Sequence, residues 1–382
     1  MRLVYLSPVP WSSFAQRPHK FVEWFHHMHG SEVLWIDPYP TRLPSIEDLR
    51  QIYSGLGKAS APEPQISTPP WLSLVQPQQL PIEPIPIISR LNHFLSRDVV
   101  KEIKTFITRG PCFIGVGKPS ELALRIVGMF PNVISFYDAM DDFPLFYSGW
   151  SRSAFASRER RLAAAVGQIL VSSIELQRKF SAFGQKATLA SNACATEILP
   201  SNPCLVPSEG RPVFGYVGTL AQWFDWDLVL ALARARPDAE LRLIGPMLRP
   251  PPDEIPANVS IMPACSHPDA IIAMSSFSVG LIPFKCNGLT KSVDPIKYYE
   301  YRAMGLPVIS APFGEMAGRK NLPGVFLTFP NADLRQLTRA AQECVTSTDD
   351  ISAFRDANSW DRRFDAIAFL APKIAADHRM HG

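Results

Sequence analysis

The stretch DPIKYYEYRAMGLPVIS, from Asp294 to Ser310, sets a lysine, a glutamate and a tyrosine where they could act together. Asp294 is a good helix N-cap, Pro295 suits the first helical position, and the apolar spacing that follows predicts a helix. On that helix Lys297, Glu300 and Tyr301 stand at i, i+3 and i+4 and share one face, while Ile296, Tyr299 and Ala303 lie on another that can pack inward. Lys297 falls in the first turn, where the helix field already disfavours a cation. A diphosphate would offset that cost, because an ammonium and the free backbone N–H groups of a helix N-terminus together form an anion site. Glu300, one turn deeper, could accept hydrogen bonds from two vicinal hydroxyls such as a ribose presents. The same residues could equally form an ordinary solvent-facing pair, worth roughly a few tenths of a kcal/mol.

Two further segments carry the same kind of chemistry. In GYVGTLAQWFD, Gly215 and Gly218 close an apolar strand, Thr219 follows, and Asp225 can cap the next helix. Glycines there let a ligand approach the backbone closely, although turn geometry alone also recruits them. GLIPF, from Gly280 to Phe284, ends a second strand just before the Lys297 helix. Elsewhere, YDAMDDF gathers Asp138, Asp141 and Asp142 after an apolar strand, and a carboxylate at a strand end can act as a general base. Asp141 or Asp142 could instead cap a following helix. AQRPHKF places Gln16, Arg17 and His19 at a helix start. Arg17 could grip a phosphate bidentately and His19 could bond a hydroxyl, or both could simply cap the helix. The histidines of HHMHG, His26, His27 and His29, crowd a helix end with no acid cluster near them in sequence, so they read as a solvated terminus and no metal is assigned.

With 46% hydrophobic and 19% charged residues in 382, the chain can bury two cores. A formal net charge of +3 is too mild for a nucleic-acid footprint but compatible with an anionic ligand or membrane surface. Cys112, Cys194, Cys204, Cys265, Cys286 and Cys344 show no paired spacing, which argues against a disulfide framework or a zinc site and for a reducing compartment. The opening MRLVYLSPVPWSSF meets proline before a signal-like run develops. No stretch reaches about 18 uninterrupted apolar residues, so a cytoplasmic chain without membrane spans is expected.

Alternation of strand and helix supplies the scaffold. RLVYLS, a helix ending at Gly30, and EVLWIDP form a βαβ opening. Residues 40–88 are proline-rich and irregular, with short strands SLVQP and PIPII, and helical spacing returns from Ser89 to Thr108. PCFIGVGKPS, NVISFYD and QILVSS continue as strands separated by helices. The proline-rich residues 200–212 mark a boundary, after which PVFGYVGTL, AELRLIGP, SVGLIPF and LPVISAP repeat the alternation. This predicts an α/β chain of two Rossmann-like domains, 1–205 and 206–360, with ligands where strand C-termini face a central cleft.

FGYVGTL, LRLIGP, VGLIPF and DPIKYYEYRAMGLPVIS together resemble the donor domain of GT-B glycosyltransferases, in particular the family 4-like group. FAQRPHKF and YDAMDDF are similar to segments of teichuronic-acid-type transferases, and the lysine with a tyrosine four residues on is similar to glucuronosyltransferases of xanthan assembly. NSWDRR resembles the start of the final helix of this fold, so residues 361–382 are expected to pack back on the first domain. The resemblance implies transfer of a sugar from a nucleotide diphosphate, a UDP-sugar above all, to a hydroxyl of a glycan or polyprenyl-diphosphate-linked acceptor in polysaccharide assembly. It implies the diphosphate at Gly218, Thr219 and Lys297, the ribose near Glu300 and Tyr301, and the base near Pro283 and Phe284. Asp141 falls on the catalytic aspartate of the xanthan-type enzymes, with Asp138 in reserve, and Gln16, Arg17 and His19 face the acceptor. No cofactor or metal is expected, nor any nucleic-acid partner. The resemblance also implies peripheral attachment to the inner membrane face, where Arg90, Arg97, Lys101 and Lys104 could meet anionic lipid, although the same stretch could equally be an ordinary amphipathic surface helix of the first domain. One departure stands out: where many family 4 enzymes carry a glutamate eight residues before Glu300, this chain has Ser292. A sugar-nucleotide 2-epimerase or a non-catalytic nucleotide-binding protein would share the architecture.

Overall fold

A computed structural model describes residues 1–13, 16–39, 68–77, 92, 94–200 and 210–371. The chain divides into two compact units: Met1–Val171 with Gln177–Leu189 and the chain from Ala368, and Ser172–Leu176 with Ala190–Ile367. Each is built around one wholly parallel sheet.

The first sheet contains β1 (Arg2–Leu6), β2 (Val33–Ile36), β3 (Leu72–Val75), β4 (Cys112–Val116), β5 (Ile134–Ala139), β6 (Gln168–Val171) and β7 (Ala187–Leu189) in the order β3-β2-β1-β4-β5-β6-β7. The second contains β8 (Val213–Val217), β9 (Glu240–Ile244), β10 (Val259–Met262), β11 (Val279–Ile282), β12 (Val308–Ser310) and β13 (Val325–Leu327) in the order β10-β9-β8-β11-β12-β13. Central strands such as VLWI and VFGYV are buried along their whole length, as a sheet covered on both faces requires. Successive β8 side chains serve opposite cores: Phe214 and Tyr216 pack with Leu232, Leu241 and Leu281, while Val213 and Val217 pack with Met274, Ile282 and Tyr298.

The order reverses between β1 and β4 and again between β8 and β11, so each sheet has a crevice beyond the strand C-termini at that point. The helices begin and end where their chemistry directs. Arg17–His29 stops at Gly30 in the left-handed conformation, and Trp226–Ala235 starts at Asp225, whose carboxylate accepts the Leu228 N–H at 3.3 Å.

Several expectations are revised. Strands β7, β10 and β13 were not foreseen; two of them have three residues and all three lie at or next to a sheet end, where pattern is weakest. The change of unit falls at Ala190, ahead of residues 200–212. The intervening chain is bound into the second unit by Asn192, which donates to Asp294, and by Cys194, whose N–H reaches the Asn358 carbonyl at 3.0 Å. The helix Trp360–Asp365 also belongs to the second unit, and only from Ala368 is the chain part of the first. There the Leu370 carbonyl accepts from His29 Nε2 at 3.1 Å and Phe369 packs on Phe136. The strand expected at PIPII, the helical start at Ser89, Arg90, Cys204 and residues 372–382 lie outside the described residues.

Gly245, with φ of +147°, follows β9 where the chain crosses the end of β8, and a Cβ there would run into the Gly218 carbonyl. We expect Gly245→Ala to destabilise the protein by about 2–4 kcal/mol through this backbone collision. Urea unfolding checks it, and an unchanged midpoint would mean that the two strand ends have room to part.

Candidate functional site

At the second sheet's reversal point, β8 runs into Gly218 and Thr219 while β11 runs into Pro283 and Phe284. The Pro283 carbonyl accepts the Asp225 N–H at 2.7 Å and Phe284 bridges to Phe224, so the two strand ends are tied together. Phe284 is half-buried and packs on Phe313 with ring centroids 5.1 Å apart in a tilted arrangement. The Gly218 N–H is used by the Ile244 carbonyl at 2.9 Å, so what Gly218 offers a ligand is close approach rather than a donor.

The helix Ile296–Ala303 is more deeply set than two faces would allow, with every residue from Tyr298 to Ala303 buried. Asp294 is not its cap. Its carboxylate instead accepts from Asn192 N–H at 2.8 Å, the Tyr299 hydroxyl at 2.9 Å and Arg319 Nη2 at 2.7 Å. Tyr301, expected beside the ligand, is a core anchor: it is fully buried against Gly280 and its hydroxyl accepts the Val217 N–H at 3.1 Å. That bond fastens the helix to β8 one residue before Gly218.

Lys297 and Glu300 do meet. The Lys297 ammonium donates to Glu300 Oε2, and His267 Nε2 donates to Oε1 at 3.3 Å. Glu300 is only 6% exposed, whereas Lys297 and His267 are half-buried. Burial alone would raise the Glu300 carboxyl, but the Lys297 charge and the hydrogen bonds from His267 and Lys297 hold it at about 2. The result is an ionised carboxylate beside a cation, at the strand ends where this architecture binds ligands. His267 was missed from sequence because it lies 33 residues upstream on another helix, His267–Met274. Ser292 is buried and its hydroxyl has no hydrogen-bond partner among the described residues.

In the first unit two of the predicted acceptor residues, Arg17 and His19, turn inward. Arg17 is 1% exposed and holds Asp138, itself fully buried, through Nη2 at 2.8 Å and Nε at 3.0 Å, while the Tyr5 hydroxyl donates to Asp138 at 3.2 Å. His19 accepts the Gln16 N–H on Nδ1 at 3.2 Å and donates from Nε2 to the Trp11 carbonyl at 3.2 Å, with Trp11 and Trp35 against its ring. Both ring nitrogens are occupied, and burial lowers its pKa, so His19 is a neutral capping residue. Arg17, His19 and Asp138 are thereby assigned to holding the helix Arg17–His29 against the sheet; Gln16 stays half-buried at its start.

Asp141 differs from its neighbours. It lies two residues beyond β5 and is half-buried, and burial pushes its carboxyl up to about 7, with Arg17 opposing and Asp142 adding to the rise. Asp142 is drawn to Lys179 at 2.7 Å, and Lys179 also meets the buried Glu159 at 2.5 Å. Among the described residues no group of three or more His, Cys, Asp or Glu is arranged to hold a metal ion.

Two stability measurements follow. Arg17→Ala strands the Asp138 carboxylate in the core and should cost about 3–5 kcal/mol in urea unfolding, whereas a surface pair would cost under about 1 kcal/mol. Asp141 has the opposite sign: a folded-state pKa raised from 3.8 to about 7 disfavours the ionised native form, so its penalty grows as pH rises across that interval and is complete above it. Asp141→Asn should therefore melt higher than the parent at pH 8 and equally at pH 4; equal melting at both would place the carboxyl in water.

No protein-family model matches the chain. It is 24% identical over 182 residues to TuaH of Bacillus subtilis strain 168, a protein assigned as a teichuronic acid biosynthesis glycosyltransferase, and the match spans 42% of this chain and 44% of that relative. Among solved structures, sucrose-phosphate synthase from Thermosynechococcus elongatus superposes with a TM-score of 0.66 at 12% identity, covering 97% of this chain and 98% of that one. HepE of Anabaena, in complex with UDP and glucose, superposes with a TM-score of 0.61 at 12% identity, covering 98% and 100%. The lipopolysaccharide outer core galactosyltransferase WaaB superposes with a TM-score of 0.59 at 12% identity, covering 97% and 99%. With two parallel-sheet units matched almost end to end, the chain has the GT-B fold that these structures share.

Proposed function

We propose that the protein is a glycosyltransferase that moves a sugar from a nucleoside diphosphate, a UDP-sugar, to a hydroxyl of a glycan or polyprenyl-diphosphate-linked acceptor in polysaccharide assembly. The observation that carries this reading is the half-exposed Lys297 beside the buried, ionised Glu300 at the β8 and β11 strand ends. A buried carboxylate is costly unless it is paired, and a cation next to it at a helix start is suited to a ligand with both phosphates and hydroxyls. Structures of HepE with UDP and with UDP-glucose support the choice of donor class.

In this reading Lys297 and the N-terminus of its helix take the charge that develops on the departing diphosphate, so that no divalent metal is required for that step. Glu300 accepts the ribose hydroxyls and Phe284 lies against the base. Asp141 takes the proton from the acceptor hydroxyl as its oxygen bonds to the anomeric carbon and the carbon–oxygen bond to the phosphate breaks. A carboxyl with a pKa of about 7 suits a general base at neutral pH. Asp142, held by Lys179, is less free for that duty.

No described helix is long and apolar enough to cross a membrane. A cytoplasmic chain meeting a lipid-linked acceptor would work at the inner membrane face. The exposed Phe94 and Leu95, with exposed Arg97, Lys101 and Lys104 on the helix Arg97–Thr108, are a surface of the right chemistry for that contact.

Calorimetric titration with UDP, without added metal, tests the donor assignment. Lys297→Ala should weaken binding by about tenfold or more, the scale of a lost charge-assisted hydrogen bond, with an unchanged circular dichroism spectrum. Absence of UDP binding by the intact protein would overturn the donor assignment. In a transfer assay, kcat/KM should fall with decreasing pH below about 7 as Asp141 protonates, and Asp141→Asn should lose roughly 10²–10⁴ in rate. A flat profile from pH 5 to 8 would remove Asp141 from the role of base.

A further inference from the structure

We infer that His267 is a positioning residue for the donor's ribose: it holds one oxygen of Glu300 in place so that the other can bind hydroxyls once Lys297 has moved to the diphosphate. This inference rests on the donor assignment made above.

The two carboxylate oxygens of Glu300 are divided between two donors. Oε2 receives Lys297 and Oε1 receives His267 Nε2 at 3.3 Å. The two donors differ in how they are held. Lys297 is on a flexible four-carbon stem with a half-buried ammonium, and can swing to a phosphate. His267 is the first residue of the helix His267–Met274, whose start is fixed by Ser266 accepting the Asp269 N–H at 3.3 Å and by Pro268. A rigid imidazole has no comparable reach.

When a diphosphate draws Lys297 away, Oε2 is vacated while the carboxylate stays buried. An ionised carboxylate 6% exposed cannot be left without donors except at a large desolvation cost. The other ionisable groups around it do not replace the lysine. Tyr301, next in its own helix, points its hydroxyl to the Val217 N–H, and Cys194 directs its thiol to the Asn358 carbonyl at 3.4 Å. Both are neutral, and neither donates a hydrogen bond to Glu300 among the described residues. His267 is therefore the protein group that keeps the carboxylate oriented in the bound state, with the ribose hydroxyls as the remaining donors.

The test separates a positioning role from a structural one by using the hydroxyls themselves. Affinities of UDP, 2′,3′-dideoxy-UDP and inorganic pyrophosphate are measured calorimetrically at pH 7.5 for the parent, His267→Ala and His267→Gln. The parent should prefer UDP over the dideoxy compound by about tenfold or more, the scale of hydrogen bonds to a charged group. His267→Ala should lose most of that preference while pyrophosphate binding changes less than about twofold, and His267→Gln, which retains a side-chain N–H donor, should recover it.

If His267→Ala keeps the full preference for the ribose hydroxyls, the inference is overturned while the donor assignment stands. Equal loss of all three ligands, pyrophosphate included, also overturns it, since that pattern marks a collapsed site. If the parent binds none of the three, the donor assignment fails first and takes this inference with it.

Discussion

Parallel pairing constrains everything else in this molecule. A strand that pairs in parallel with its neighbour must be followed by a crossover, and the crossovers cover both faces of the sheet, so the strands become apolar along their whole length. Polar chemistry is then displaced to the strand ends, where carbonyls and amides leave the ladder. Where the strand order reverses, successive crossovers leave to opposite sides and open a crevice. In the second unit that crevice lies between the ends of β8 and β11, and beside it the glycines at Gly218 and Gly245 let the ends of β8 and β9 approach closely.

Within that frame, buried charge is used in two different ways. The pair of Arg17 and Asp138 is closed: the guanidinium and carboxylate satisfy each other, Tyr5 adds a third bond, and both side chains are shut away from solvent. Such a pair fixes the placement of a helix at little net gain in stability, and removing one partner costs far more than the pair contributes. The cluster of Lys297, Glu300 and His267 is open. Only the carboxylate is buried, both of its donors are half-exposed, and one of them is flexible enough to exchange partners. Asp141 presents a third condition, a carboxyl crowded by protein with no ion pair of its own among the described residues, and its raised pKa is the consequence.

These distinctions explain why residues that look alike in sequence end in different roles. Arg17, His19, Asp138 and Asp141 all sit in short polar motifs beside apolar runs, and each could be read as substrate-facing. In the fold, three of them spend their hydrogen bonds on the protein: Arg17 and Asp138 on each other, and His19 on Gln16 and Trp11. Tyr301 shares a nominal helix face with Glu300, yet a helix buried on nearly all sides has no such free face, and the tyrosine becomes the link to β8.

The sequence by itself determined the alternation of strands and helices, the repetition of that pattern in two halves, and the meeting of Lys297 with Glu300. All three are local: apolar periodicity, capping residues and an i, i+3 spacing act within a few residues of chain. Only the tertiary structure decided that Asp294 binds Arg319 and Asn192 rather than capping its helix, that residues 190–200 join the second unit, and that His267 completes the Glu300 site. Each of those depends on a partner tens of residues or more away, and on whether a polar group is buried. A hydrogen bond is strong enough to direct a side chain only where water is excluded, and which positions exclude water is set by packing between elements that no local pattern encodes.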